Sequence, residues 1–158
     1  MRTILLALVV ATTAACSSTD QGPPAQVAGD YTLTVTDNQN GCNVENFTTG
    51  ATQSGITVSI TQNGSSLSAT GTGSMGLMLA FATGDTLNGY IDGQAASLSS
   101  TVGHTQGGCA YSTTATVNLV FSGNQFEGNV LYTDSGNGSP DCGVMQQCTS
   151  SQKVTGSR

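Results

Sequence analysis

The chain has 158 residues, of which only 8% are charged, with nine acidic side chains against three cations and no Trp. That acidic balance repels phosphate backbones and excludes nucleic acid as a partner. Low charge combined with abundant Thr, Ser, Gly and Asn and many β-branched positions points to exported β-structure and away from disorder, which needs high charge and few apolar residues.

The N-terminus reads as an address. Arg2 supplies a short positive region, residues 4–10 an apolar run, and residues 11–15 a small-residue approach to Cys16. The run falls well below the roughly 20 residues of a spanning helix. These sixteen residues resemble the signal peptide of a bacterial lipoprotein. The resemblance implies that Thr13, Ala14 and Ala15 form the lipobox, that residues 1–15 are removed, and that Cys16 carries acyl chains. Each buried methylene contributes about 0.8 kcal/mol and more than one chain gives stable attachment, so the membrane becomes a partner through the lipid alone. Ser17, where family members retained at the inner membrane carry Asp, implies an exported protein anchored to the cell envelope at the outer membrane.

Residues 16–28 read as a flexible tether, small and polar with Pro23 and Pro24, and residues 29–158 as one all-β domain. In the domain, apolar and polar residues alternate with period two. Tyr31, Leu33 and Val35 begin the pattern, and Ile56, Val58 and Ile60 continue it; Val117, Leu119 and Phe121 fall late in it. No segment carries a 3.6-residue stripe. Asn63-Gly64 is a two-residue hairpin signal, since both central positions of a type I′ turn need positive φ, and Gly93-Gln94 and Gly123-Asn124 read as further turns. The predicted strands are 30–37, 55–62, 65–82 (bent at Gly71, Gly73 and Gly76), 86–92, 95–102, 109–122, 125–133 and 148–156. The run at residues 76–81, the most apolar of the domain, reads as a buried strand with a contact patch as the alternative.

Parity then constrains topology. In an up-and-down meander of eight strands, the long connections 38–55, 103–108 and 134–147 share one end, and so do Cys42, Cys109, Cys142 and Cys148. Splitting 65–82 into two strands would strand Cys42 at the opposite end. An even antiparallel meander closes by pairing first strand with last, so the expected fold is an eight-stranded antiparallel up-and-down barrel, with a two-sheet sandwich as the alternative. Gly29-Asp30-Tyr31 at the start of the first strand resembles the Gly-x-aromatic opening of calycin-type barrels, the lipocalins and avidins, and that resemblance implies an interior fit for one small ligand. A barrel spanning a membrane needs strands of about 9–11 residues with aromatic girdles, and most of the runs are shorter.

With Cys16 assigned to lipid, the four remaining cysteines imply two disulfides in an exported chain. Adjacency in the closed barrel favours Cys42 with Cys148 and Cys109 with Cys142; the local pairing of Cys142 with Cys148 and Cys42 with Cys109 stays open. No catalytic residue, cofactor or transition-metal site is expected. His104, the single histidine, falls in the Gly-rich loop 103–108 with no nucleophile motif near it. Asp37, Glu45, Asp85, Asp134 and Asp141 all fall at the cysteine-bearing end, where a carboxylate pair would suit glycoside hydrolysis, yet they read equally as solubilising acids. Asp134, Asn137 and Asp141 are candidate calcium ligands on a turn-rich loop without the spacing of a known calcium motif. The resulting expectation is a non-enzymatic envelope lipoprotein presenting a binding surface to a protein or glycan. The alternative is a carrier of a small apolar ligand.

Overall fold

The computed structural model describes residues 22–45, 47–72 and 86–158 and is all-β apart from one short 3-10 helix. The strands are β1 (Gly29–Asn40), β2 (Thr52–Asn63), β3 (Ser66–Thr72), β4 (Thr86–Asp92), β5 (Ala95–Gln106), β6 (Cys109–Ser122), β7 (Gln125–Gly136) and β8 (Gln147–Ser157), with the helix at Pro140–Gln146. Each pairs antiparallel with its neighbours in chain order, and β1 pairs with β8, so the sheet is a closed eight-stranded up-and-down barrel. The sandwich alternative is thereby set aside. Closure pairs the first strand with the last, so neither β1 nor β8 is left as an edge.

Alternation does what the sequence pattern requires. Tyr31, Leu33 and Val35 of β1 point inward with Ile56, Val58 and Ile60 of β2, while the intervening threonines face out. Gly64, Gly93 and Gly123 all adopt positive φ in the tight turns of one end, which we call the closed end. There Tyr31, Phe121 and Phe126 meet edge to face or tilted, with centroids 5.2 to 6.1 Å apart. Gly156 is paired with Phe126 on the neighbouring strand, and a Cβ there would run into the Phe126 ring. Arg158 closes the end from outside. Its guanidinium lies 5.4 Å over the Tyr31 ring and donates to the carbonyls of Gln26 and Ala28.

Several sequence expectations shift. Within the segment read as a flexible tether, Ala25 to Ala28 are docked: Ala25 N donates to Gly93 O, Val27 N to the Gln62 side chain, and Tyr31 Oη to Val27 O. Val27 is 1% exposed, so any free tether stops short of Ala25. The loop expected at 103–108 is instead the top of a hairpin whose strands run to Gln106 and from Cys109, with Gly107 at positive φ in a two-residue turn. Six of the eight strands have 11 or more residues, so shortness of strands is no argument against a membrane-spanning barrel. The outer face supplies one instead: Thr34, Thr36, Asn118, Asn129, Lys153 and Thr155 stand where a lipid-facing barrel carries an apolar band. The third strand is seen to Thr72; the remainder of the predicted 65–82 strand, with the apolar run at 76–81 and Asp85, lies outside the described residues, as do residues 1–15 and Cys16.

Candidate functional site

The end opposite the aromatic cluster, the rim, collects the chemistry. β1 and β2 are joined there by residues 41–51, and β7 and β8 by the segment holding the 3-10 helix. The four domain cysteines all lie at this rim and pair as Cys42–Cys148 and Cys109–Cys142, with Cα separations of 5.1 and 4.8 Å. The register explains the choice. Asn40 pairs with Ser150 on β8, which carries the chain into Cys42 beside Cys148, whereas Cys109 opens β6 under the helix that holds Cys142.

Inward positions that are apolar lower in the barrel become polar at the rim. Thr113, Asp134, Ser150 and Gln152 are all buried, and they fall into two groups, one around Asp37 and one around the Cys42–Cys148 bridge. In the first, Tyr132 Oη donates to Gln152 Oε1 at 2.9 Å and Gln152 Nε2 donates to Asp37 Oδ1 at 2.7 Å. Asp37 Oδ2 accepts from Thr48 N, and the Asp37 backbone exchanges bonds with Gly50 and Ala51, so this chain ties the 41–51 loop to the interior. Burial, reinforced by the Asp37 carboxylate, pushes the Tyr132 hydroxyl up to about 12. In the second group, Thr113 Oγ1 donates to Asp134 Oδ1 at 2.5 Å, and Cys42 N donates to Ser150 Oγ at 3.1 Å. Asp134 Oδ2 lies 3.4 Å from the Cys148 sulfur.

The sequence-predicted candidates therefore scatter. Asp134 is turned inward on Thr113, Asn137 Oδ1 accepts from Ser139 N within its own turn, and Asp141 is exposed beside Gly108, so the three calcium candidates spend their oxygens in different places. Asp37 and Asp134 belong to separate networks, and Glu45 is exposed. His104 is not a loop residue. It stands on β5 opposite Tyr111, half-buried, its ring stacked on the tyrosine at 4.9 Å and 24°. The cluster that spacing did not reveal is Cys42, Cys148 and Asp134, whose potential ligand atoms lie within 4.8 Å of one another. Its only sequence signal was strand register, which places Asp134 directly opposite Cys148.

Two concavities matter for ligands. Among the described residues, the interior holds a cavity of about 60 Å³, bordered by Leu33, Val58, Leu98, Leu119, Phe126 and Val154 among others. The outer wall carries an open groove of about 660 Å³, along which Tyr90, Ser97, Asn118, Asn129 and Lys153 align as one cross-strand row. No protein-family model, curated protein or solved structure matches this chain. The functional reading accordingly rests on the geometry of the interior, the rim and the wall.

Proposed function

We propose that the protein is an envelope lipoprotein, anchored through acyl chains on Cys16, whose barrel is a non-enzymatic binding module that engages its partner on the outside. The observation that carries this reading is the interior cavity of about 60 Å³ among the described residues, several-fold below the roughly 300–1,000 Å³ of small-molecule sites. An apolar carrier of the kind the calycin resemblance implies needs that space. The outside offers more: a rim held by two disulfides and a wall groove about ten times larger. Rigid scaffolds of this type display recognition residues on stapled loops.

Export fits the cysteine chemistry, since disulfides persist in oxidising compartments. Anchorage fits the chain path: Ala25 docks at Gly93, at the closed end, so a lipid upstream holds that end toward the membrane and turns the rim away. A glycan is favoured as partner by the wall row, where an exposed tyrosine, two exposed asparagines and the chain's one lysine line a groove flanked by Asp92 and Glu127. Hydroxyl-rich ligands are recognised by such planar amides and aromatic faces.

Replacing Cys16 with Ser is expected to move the protein from the membrane to the soluble fraction with its sheet circular dichroism intact. Retention at the membrane overturns the anchor. An environment-sensitive apolar dye is expected to show no saturable binding to the barrel; stoichiometric uptake overturns the filled interior and restores the carrier.

A further inference from the structure

The buried neighbourhood of one disulfide carries an inference independent of the binding module. We propose that, when the Cys42–Cys148 bridge is reduced, Cys42, Cys148 and Asp134 form a site for one thiophilic divalent cation, with zinc the type ion. All three residues are buried and their ligand atoms already lie within 4.8 Å of one another. Two thiolates and a carboxylate are a donor set that zinc accepts, leaving a fourth position for water.

Asp134 is the decisive member. It is 6% exposed, and Thr113 satisfies only Oδ1. The neighbour of Oδ2 is the Cys148 sulfur at 3.4 Å, and a disulfide sulfur has no proton to donate. The second oxygen of this buried carboxylate is thus directed at the sulfur pair. The spacing fits a metal. Zn–S of about 2.3 Å and Zn–O of about 2.0–2.2 Å at a tetrahedral angle put oxygen and sulfur about 3.5 Å apart. Cys148 and Asp134 sit opposite each other on paired strands, so this edge is held rigidly, and Thr113 fixes the carboxylate from behind as outer-shell partners of metal ligands do. Cys42 lies in the loop after β1, off the paired strands that hold Asp134 and Cys148. The other bridge lacks this arrangement: the Cys142 sulfur faces the neutral amide oxygen of Asn137.

The chemistry balances with an external dithiol or phosphine as reductant. It delivers two electrons and the S–S bond breaks: a dithiol gives up its own two thiol protons and closes to its disulfide, whereas a phosphine takes the oxygen of one water to become its oxide and that water's two protons complete the thiols. Cation binding then displaces the two thiol protons.

The test uses the full chain in mild detergent, reduced by a phosphine under inert gas, freed of reductant and titrated with Co²⁺. One equivalent is expected to produce sulfur-to-cobalt charge-transfer bands and the visible bands of a four-coordinate ion, both lost on adding zinc. The Cys109→Ser/Cys142→Ser variant is expected to keep these bands and Cys42→Ser/Cys148→Ser to lose them, while Asp134→Asn weakens binding by about tenfold or more. Bands that survive in Cys42→Ser/Cys148→Ser, or an unchanged affinity in Asp134→Asn, overturn the proposal. So does the absence of bands in a reduced wild-type chain that keeps its sheet signal. Where reduction unfolds the chain, Co²⁺ is expected to restore the sheet signal in wild type and not in Asp134→Asn; failure to restore it overturns the proposal equally.

Discussion

Removing each disulfide in turn, as alanine pairs, gives the most discriminating test of the closed barrel. The Cys42–Cys148 bridge spans 106 residues and encloses the Cys109–Cys142 bridge, which spans 33. With the inner bridge intact, the outer one closes a circuit shortened by the residues the inner bridge bypasses, leaving about 73. The chain-entropy relation then assigns about 4.4 kcal/mol to the outer bridge and about 3.7 kcal/mol to the inner. The local pairing of Cys142 with Cys148 would close a six-residue span worth only about 2.2 kcal/mol by the same relation. Urea unfolding of Cys42→Ala/Cys148→Ala and Cys109→Ala/Cys142→Ala, followed by sheet circular dichroism, reads the losses. Thiol counting under denaturant reads the pairing. Each variant is expected to show no free thiol, because the two cysteines left behind are partners, and a stability loss within the 2–5 kcal/mol typical of native bridges. Two free thiols in either variant refute the pairing, and with it the adjacency of β1 and β8 that brings Cys42 to Cys148.

Other expectations concern the closed end and the rim. Tyr31→Phe leaves the Val27 carbonyl without its buried donor and is expected to cost about 1–3 kcal/mol by chemical denaturation; an unchanged midpoint with an unchanged slope contradicts the docking of residues 25–28. Gly156→Ala places a methyl group against Phe126 and is expected to cost about 1–3 kcal/mol, measurable as a lowered thermal midpoint. Tyr132 is held up to about 12 in the folded chain against about 10 unfolded, so its contribution is fully present below pH 10 and is lost as pH climbs toward 12. Denaturation midpoints across that range are expected to fall in wild type and to fall less in Tyr132→Phe, and parallel curves contradict the burial of the hydroxyl.

Much of the fold was legible because half-buried strands write their two-residue period directly into the side chains. Ile56, Val58 and Ile60 announce a strand whatever surrounds them, and Asn63-Gly64 announces the turn that follows. Parity of the strand count then carried the four cysteines to one end. The failures have a common cause. Gly103 and the Gly107-Gly108 pair read as a loop because glycine punctuates chains, yet only Gly107 uses positive φ, and β5 runs through Gly103 and His104 to Gln106. Residues 25–28 have no period at all. They dock because Gln62, on another strand, donates to Ala25 O and accepts from Val27 N, a tertiary exchange that no local pattern encodes.

The rim shows why strand pattern and site chemistry part company. Period two marks Thr113, Asp134, Ser150 and Gln152 as inward, while their polarity marks them as outward; the sequence reading put Thr113, Ser150 and Gln152 on strands without a facing and Asp134 in the connection 134–147. A closed barrel resolves the conflict differently: inward polar side chains are tolerated at an end where register sets them opposite one another. Thr113 faces Asp134, and Asp134 faces Cys148, across adjacent strands. A Thr113→Val substitution separates the two demands, since it keeps shape and the inward period but removes the donor to Asp134 Oδ1. It is expected to destabilise the folded chain by about 1–3 kcal/mol, because the carboxylate is buried and loses the donor that satisfies it. Urea denaturation of the oxidised chain measures the loss. An unchanged midpoint would mean that water, and not Thr113, satisfies Asp134, and that the rim is open where the hydrogen-bond geometry has it closed.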